Sequence, residues 1–535
     1  MNVELAQEQH PEALALLDID IYVAEAARLM PGREAISDSA RTISWSELDR
    51  RANRIAHALI ACNVGPDDKV AILAPNSVWY VEIMIGILRA GACIVPLPTY
   101  ASPSTWISML KDCDAQVLFV SQGYADEIDG LADKALPPTV VALDEPSIEA
   151  WIAASVDIGA GAGGGNAHDT SPALPHVLDH GFNQIYSSGT TGTPKGILQS
   201  RRYRAIESVT VVKGWGLNDE SRTIFSTPLC SNTTLFVLFS VLAAGGRVKL
   251  MEKFDAGKWL ALAHTWRPTD VILVPVQYTR LLAHPDFDRF DLSSFRNKFS
   301  TSAPLSGATK REILDRWPAG GLTEFYGMTE GGVSCSLIAQ DHPDKLDTVG
   351  KPFADVEIRI LDEQGSVLPQ GAVGEVVGRS PRMMTGYHKQ DEATREASWF
   401  DDSGRRFQRS GDIGWLDPEG FLHLLDRKKD VIITGGFNVY AIDIEHVLMQ
   451  HPSVTDAAVI GAPSKAWGET PVAFVVLRDG VEVSPEEIGQ WANDRLGKVQ
   501  RLARVIVTNE LPRSAIGKVL KRALRDQCLE LALSL

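Results

Sequence analysis

The 535-residue sequence predicts an α/β protein. A large N-terminal domain of parallel-sheet α/β subdomains with a β subdomain precedes a small α+β domain. Three observations carry this. Through residues 69–350 short apolar runs alternate with stretches of helical periodicity, the mark of strand–helix–strand units whose strands lie parallel. Between 355 and 425 apolar residues recur instead at period two, with turn residues between them. From 431 to the end, short strands mix with amphipathic helices in a segment of its own.

Residues 1–60 read as helices, with a turn into Thr42-Ile-Ser-Trp-Ser-Glu-Leu and Ser46 as the helix cap. Lys69–Leu73 is a buried strand stopped by Pro75-Asn76. Trp79, Ile83 and Ile87, with Met84 and Leu88 beside them, keep helical spacing up to Gly91. Strands follow at Ala92–Val95, Gln116–Val120 and Thr139–Leu143. Residues 157–175, rich in glycine, read as a surface loop of low order. Arg222–Ser226 and Val271–Val274 are strands with a helical segment between. Asp355–Leu361 and Gly374–Gly378 form the period-two region around the turn at Glu363–Gly365. No internal repeat is present.

Composition narrows the function classes. With 44% hydrophobic and 22% charged residues the chain is globular, and its length supports several cores. A net charge of −16 argues against sequence-nonspecific nucleic-acid binding. The six cysteines are scattered without a Cys-x-x-Cys pair, which suits a reducing compartment and no metal site. The N-terminus lacks a basic start and apolar core, and no apolar run reaches the ~20 residues of a membrane span; Arg89 breaks the best one. The expectation is a cytoplasmic protein without transmembrane segment, compatible with a homodimer.

The richest stretch is Tyr186-Ser-Ser-Gly-Thr-Thr-Gly-Thr-Pro-Lys-Gly196, preceded by apolar Phe182 and Ile185. Its glycines permit tight turns and close approach to a ligand. Its hydroxyls and N–H groups suit anionic oxygens, and Lys195 adds a point charge. A polyphosphate is the natural guest. The Walker spacing is absent, and a flexible Ser/Gly linker would need neither the lysine nor the abutting strand.

Six further stretches occur in order: Thr301–Leu305, Tyr326-Gly-Met-Thr-Glu330, Arg409-Ser-Gly-Asp-Ile-Gly414, Asp426-Arg-Lys-Lys-Asp430, Thr434-Gly-Gly-Phe-Asn-Val-Tyr440 and Leu511-Pro-Arg-Ser-Ala-Ile-Gly-Lys518. Taken together with the loop they resemble the adenylate-forming superfamily of acyl- and aryl-CoA synthetases, peptide-synthetase adenylation domains and luciferases. The likeness runs over roughly residues 30 to 525 and is greatest to an AMP-forming acyl-CoA synthetase.

That resemblance implies a division into residues 1–427 and a mobile domain of 428–535, hinged near Lys429. It implies an ATP site in which Ser187, Ser188, Gly189, Thr190, Thr191, Gly192, Thr193 and Lys195 hold phosphates. Ser302, Ala303 and Pro304 would face one side of adenine, with Tyr326 and Gly327 on the other. A flat ring wants one thin wall and one aromatic wall. Asp412 and Arg427 would hold the ribose, Thr329 the α-phosphate, and Glu330 a Mg²⁺ ion through a hard oxygen ligand. Lys518 would be the catalytic lysine, and Gly435 and Gly436 would line the path of coenzyme A. The implied reaction is ATP-dependent ligation of a carboxylic acid to coenzyme A through an acyl-adenylate.

The acyl pocket is placed at Thr210, Ser231, Asn232, Thr233, Gln277, Phe325, Gly331 and Gly332. Its polar groups, costly to bury unpaired, point to an aromatic or polar-substituted acid over a long alkyl chain. The sequence departs from many relatives at Phe437, where glutamate is common, and at Ala441, where proline is. It departs again at Leu229-Cys-Ser-Asn-Thr233, where an aromatic-His pair is frequent, and at Gln199-Ser-Arg-Arg202, where Thr-His is more usual. Fatty-acid CoA ligation and loading of a carrier protein remain as alternatives. A luciferase-like oxygenase fits less well, and a nucleotide sensor without catalysis would be expected to lack Lys518, Glu330 or Lys195.

Overall fold

The structure is a computed structural model that describes residues 17–129, 136–159, 167–187, 194–435, 437–464, 467–478, 480–514 and 517–530. It divides into two units: residues up to 346 with 353–356 and 379–408, and residues 347–352, 357–378 and 409 onward.

The first unit holds two largely parallel sheets. One runs, strand beside strand, Ser334–Ile338, Gly321–Gly327, Asn297–Ser300, Asp270–Leu273, Arg222–Phe225, Arg247–Leu250, Glu34–Ser37 and Thr42–Ser44. The other runs Gly386–Tyr387, Lys195–Ser200, Gly181–Ser187, Cys93–Pro96, Lys69–Leu73, Val117–Val120 and Thr139–Ala142. Helices Trp45–Ala61, Val78–Arg89 and Asn232–Ala243 share one core with both sheets, meeting Ile94 and Phe182 of one and Phe225 and Val248 of the other. The far face of the first sheet carries Ala256–Trp266, Pro275–Leu282 and Gly307–Arg316. That of the second carries Pro103–Cys113. The result is alternating layers of helix and sheet, the architecture that alternating strand and helix patterns dictate.

Val78–Arg89 is buried on every side, so its apolar period reads as a core helix. It approaches Trp45–Ala61 closely at Gly86, where a Cβ would stand 2.5 Å from Ile55. Arg89, buried within it, is neutralised by Asp49 at 2.6 Å and donates to Asn53 Oδ1 at 2.7 Å.

Four local expectations are corrected. Residues 34–37 and 42–44 are paired strands and not helix, because Ile36 lies in register with Val248, far along the chain. Ser44 and not Ser46 caps the following helix, its hydroxyl accepting from the Glu47 N–H at 3.3 Å. Arg247–Leu250 interrupts the segment expected to be helical, pairing with Arg222–Phe225. Of the loop placed at 157–175, residues 160–166 lie outside the described residues. Its far end is pinned to helix Trp45–Ala61: Arg54 binds the Asp169 carboxylate at 2.6 Å and Asn53 donates to the Asp169 carbonyl at 2.7 Å.

In the second unit residues 412–416, the end of the strand Arg406–Leu416, pair antiparallel with Leu422–Arg427, setting Asp412 opposite Arg427. A further sheet runs Phe437–Val439, Ile432–Thr434, Gly468–Leu477 and Val454–Ser464, with Arg504–Val507 parallel to Gly468–Leu477. Helices Ala441–Leu448 and Pro485–Asn493 cover one face, and Lys521–Glu530 the other.

Candidate active site

In the first unit the strands Gly181–Ser187 and Lys195–Ser200 form a hairpin whose register sets Ser187 opposite Lys195. The stretch expected to hold phosphates falls between these two strands in the sequence. Ser188, Gly189, Thr190, Thr191, Gly192 and Thr193 lie outside the described residues. At Gly196 a Cβ would meet Gln184 Nε2 at 2.4 Å, so any side chain there would displace the Gln184 amide.

Strand Gly321–Gly327 carries Phe325, Tyr326 and Gly327 to the rim of a cleft, and the following turn adds Thr329. Ser302 lines the same cleft. It holds a left-handed φ of 82°, which a non-glycine residue adopts only when its surroundings impose it. Its buried Oγ has no partner among the described residues, which leaves a hydrogen-bonding group for a ligand. The Thr301–Leu305 turn is fixed from behind by Glu324, a residue the sequence reading did not single out. The Glu324 carboxylate accepts from the Leu305 N–H at 2.7 Å and pairs with Lys310 at 2.5 Å, both side chains buried.

The cleft encloses about 740 Å³ including its open mouth. Thr210, Asn232, Thr233 and Phe325 line it; Ser231, Gln277, Gly331 and Gly332, also expected there, do not. Gln277 is spent locally, accepting from the Val274 N–H at 3.1 Å and donating to Ser226 Oγ at 3.3 Å, so it closes the start of its own helix. Gly331 and Gly332 are required by the backbone. Both have positive φ, and a Cβ on Gly331 would lie 2.0 Å from the Arg382 carbonyl oxygen. The Gly332 N–H donates to that same oxygen at 2.8 Å. The glycines thus let segment 382–384 close in, bringing Arg382 to the cleft.

One wall of the cleft is aromatic. Trp215 lies over Phe325 with centroids 4.6 Å apart, and Phe236 and Phe353 meet Phe325 edge-on at 6.2 and 6.0 Å. The other holds Thr210, Glu207 and Arg382. The Arg382 guanidinium grips Asp355 with two bonds of 2.6 and 2.8 Å and donates to Thr210 Oγ1 at 3.2 Å.

A buried network ties this wall to the 326–330 turn. Gln199 donates to the Thr329 carbonyl at 2.7 Å and accepts from Arg204 and Asn183; Arg204 also donates to Asn232 Oδ1 at 2.9 Å. The unusual Gln199 of the sequence thus links the pocket to the Thr329 turn. Glu330 takes a hydrogen bond from the Tyr387 hydroxyl on one carboxylate oxygen at 2.8 Å. Its other oxygen accepts none among the described residues. A carboxylate with one oxygen anchored and one open fits a hard cation such as Mg²⁺.

The second unit gathers the remaining residues. Arg427 Nε meets the Asp412 carboxylate at 2.7 Å, in the register that pairs their strands. Dense surroundings and the cations Arg427 and Lys429 pull the Lys518 ammonium down to about 8, with Asp412 and Asp430 opposing them. Gly435 has φ +58°, donates to the Trp467 carbonyl at 2.8 Å, and would press a Cβ to 2.9 Å from the Trp467 ring. Gly436 lies outside the described residues. Phe437 and Trp467 are both exposed.

Among the described residues no helix is long and apolar enough to cross a membrane. The family described as AMP-binding enzyme matches residues 23–388, and the AMP-binding enzyme C-terminal domain matches 443–518. Feruloyl-CoA synthase of Amycolatopsis sp is 33% identical over 504 residues, covering 93% of this chain and 96% of its own. The fatty acid–[acyl-carrier-protein] ligase ScoC of Streptomyces coeruleorubidus is 31% identical, over 97% of both chains. ATP-bound MatB from Rhodopseudomonas palustris superposes with a TM-score of 0.83 at 31% identity, over 96% of this chain and all of that one.

Proposed function

Because the chain belongs to the AMP-binding enzyme family, we propose that it ligates an aromatic, polar-substituted carboxylic acid to coenzyme A through an acyl-adenylate. The observation that carries this reading is the single cleft shared by Ser302, Tyr326 and Thr329 with the aromatic wall of Trp215, Phe236 and Phe325. Nucleotide and acid thereby meet at Thr329.

A carboxylate is a poor acyl donor because its leaving group would be oxide. Its oxygen attacks the α-phosphorus of ATP, the bond to pyrophosphate breaks, and the acyl group gains AMP as leaving group. The thiol of coenzyme A then attacks the acyl carbon and AMP departs. Charge builds on the α-phosphoryl oxygens and on pyrophosphate, and fixed cations there lower the barrier most. Lys518 and Thr329 serve the α-phosphoryl group; Thr190, Thr191 and Lys195 serve the β- and γ-phosphates. Ser302, Ala303 and Pro304 face adenine opposite Tyr326, and Asp412 with Arg427 takes the ribose hydroxyls. Mg²⁺, held through Glu330, would supply positive charge at the phosphate oxygens. Residues 428–535 turn about Lys429 between the steps, and Gly435 and Gly436 then border the thiol's path. In the acyl pocket the aromatic wall takes a ring, and the side of Thr210, Glu207 and Arg382 takes its polar substituent.

The likeness to a carrier-protein ligase supports a second reading, in which a carrier thiol replaces coenzyme A. Pyrophosphate release from MgATP across fatty, aryl and arylpropenoic acids, with coenzyme A or a carrier protein, decides between them. The expected outcome is release with substituted aryl or arylpropenoic acids and a coenzyme A thioester product. Turnover of long-chain fatty acids alone overturns the acid assignment, and turnover needing a carrier overturns the acceptor.

A further inference from the structure

We propose that Tyr387 is a positioning residue that aims the Glu330 carboxylate at the metal–nucleotide complex and ties it to the phosphate-loop lysine. The inference rests on the reading of Glu330 as the metal ligand.

Tyr387 belongs to none of the sequence stretches that mark the site. It is brought there by a two-residue strand, Gly386–Tyr387, paired antiparallel with Lys195–Ser200 so that Tyr387 sits opposite Ile197. The His388 N–H donates to the Gly196 carbonyl at 2.8 Å, and the Thr385 N–H to the Leu198 carbonyl at 2.9 Å. Its own N–H donates to Thr394 Oγ1 at 2.9 Å. The same segment binds the other side of the site, since the Met384 N–H donates to the Glu330 carbonyl at 2.7 Å. The backbone of Tyr387 is therefore clamped between the strand that carries Lys195 and the turn that carries Glu330.

The side chain repeats that bridge. The hydroxyl donates to Glu330 Oε1 at 2.8 Å, and Lys195 Nζ lies 5.0 Å from the ring centroid, over its face. A hydroxyl donor to a carboxylate fixes which oxygen is spent and which way the other points, the usual duty of a group that orients a metal ligand. A ring beneath an ammonium holds it by the ring's negative face without neutralising it. Glu330 and Lys195 carry opposite charges, and Tyr387 is the side chain that touches both. Tyr387 gives each a separate partner, so the carboxylate stays available to a cation and the lysine to phosphate.

Calorimetric titration of the full chain with a non-hydrolysable ATP analogue, with and without Mg²⁺ and without acid, tests this. Tyr387→Phe keeps the ring and loses the hydroxyl. The Mg²⁺ concentration that half-saturates its tight analogue binding is expected to rise roughly tenfold, the worth of one hydrogen bond to a charged group, with metal-free binding unchanged. Tyr387→Leu also removes the ring and should weaken metal-free binding as well. Glu330→Gln is the reference: it must raise the Mg²⁺ requirement if the carboxylate holds the ion. A Glu330→Gln effect with none from Tyr387→Phe overturns the positioning role alone. No effect from either overturns the metal reading and the proposal with it. Equal loss of metal-free and Mg²⁺-dependent binding in Tyr387→Phe would show a general structural role and overturn the proposal too.

Discussion

Glu324 shows how a residue with no motif of its own can hold one that has. It is buried behind the cleft, where desolvation raises its pKa and Lys310 opposes that rise. Glu324→Gln keeps an acceptor for the Leu305 N–H but leaves the Lys310 ammonium buried without its counter-charge. The expected loss is roughly 3 kcal/mol in urea unfolding, because a broken buried pair leaves an uncompensated ion. ATP binding should weaken together with stability, since the Thr301–Leu305 turn loses its backing; unchanged ATP affinity would remove Glu324 from the site's support. Residues of this kind are illegible in sequence. Glu324 is one glutamate among many, and its partner lies fourteen positions upstream. Tyr326, Thr329 and Glu330 could be picked out from the sequence because they sit within five consecutive residues. Gln199 falls between the two cases: the sequence marks it as a departure, and only the structure shows it holding the Thr329 carbonyl. Gln277 looked like a pocket residue because its polarity shows in the sequence and its partners, Val274 and Ser226, do not.

Among the elements, the strands flanked by helices were legible and the shortest were not. Residues 70–73 of strand Lys69–Leu73 and all of Val117–Val120 are continuous apolar runs, as strands buried on both faces must be. Glu34–Ser37 and Arg247–Leu250 are four residues each and carry charged or polar groups, and they are strands because they pair with each other across two hundred residues. Lys298, on strand Asn297–Ser300, is a charged residue that would be counted against a buried strand. It is fully buried, and its ammonium donates to the carbonyls of Trp317, Ala319 and Gly320 at 2.8, 2.6 and 2.8 Å. These carbonyls follow the helix Gly307–Arg316 and lead into the strand that bears Phe325 and Tyr326. Lys298→Met fills a similar volume and strands three acceptors. The expected cost is roughly 3 kcal/mol, at about 1–3 kcal/mol for each buried group left unsatisfied and with partial relaxation, read as a lower urea midpoint. A midpoint unchanged from wild type would mean that the connection is held by packing alone.

At the scale of the whole molecule, the proposed reaction asks one lysine to act in the first step and not in the second. The groups around Lys518 in its unit include two cations, Arg427 and Lys429, and two carboxylates, Asp412 and Asp430. Desolvation by its close neighbours and the cations together lower its pKa from the ordinary lysine value to about 8. Below the midpoint Lys518 is an ammonium and can meet charge developing on the α-phosphoryl group; above it the amine is neutral and that contribution is lost. Adenylation, followed as pyrophosphate exchange, should therefore decline as pH rises through about 8, while thiolysis of a supplied acyl-adenylate should show no limb assignable to this group. Lys518→Ala should cut adenylation by about a hundred- to a thousand-fold, the usual worth of one preorganised donor at a developing charge, and spare thiolysis. Its residual adenylation should also lose the alkaline limb, which ties the pH profile to this side chain. Equal loss of both half-reactions, or an alkaline limb that survives in Lys518→Ala, would remove Lys518 from the α-phosphoryl role, and with it the reason for residues 428–535 to turn about Lys429 between the steps.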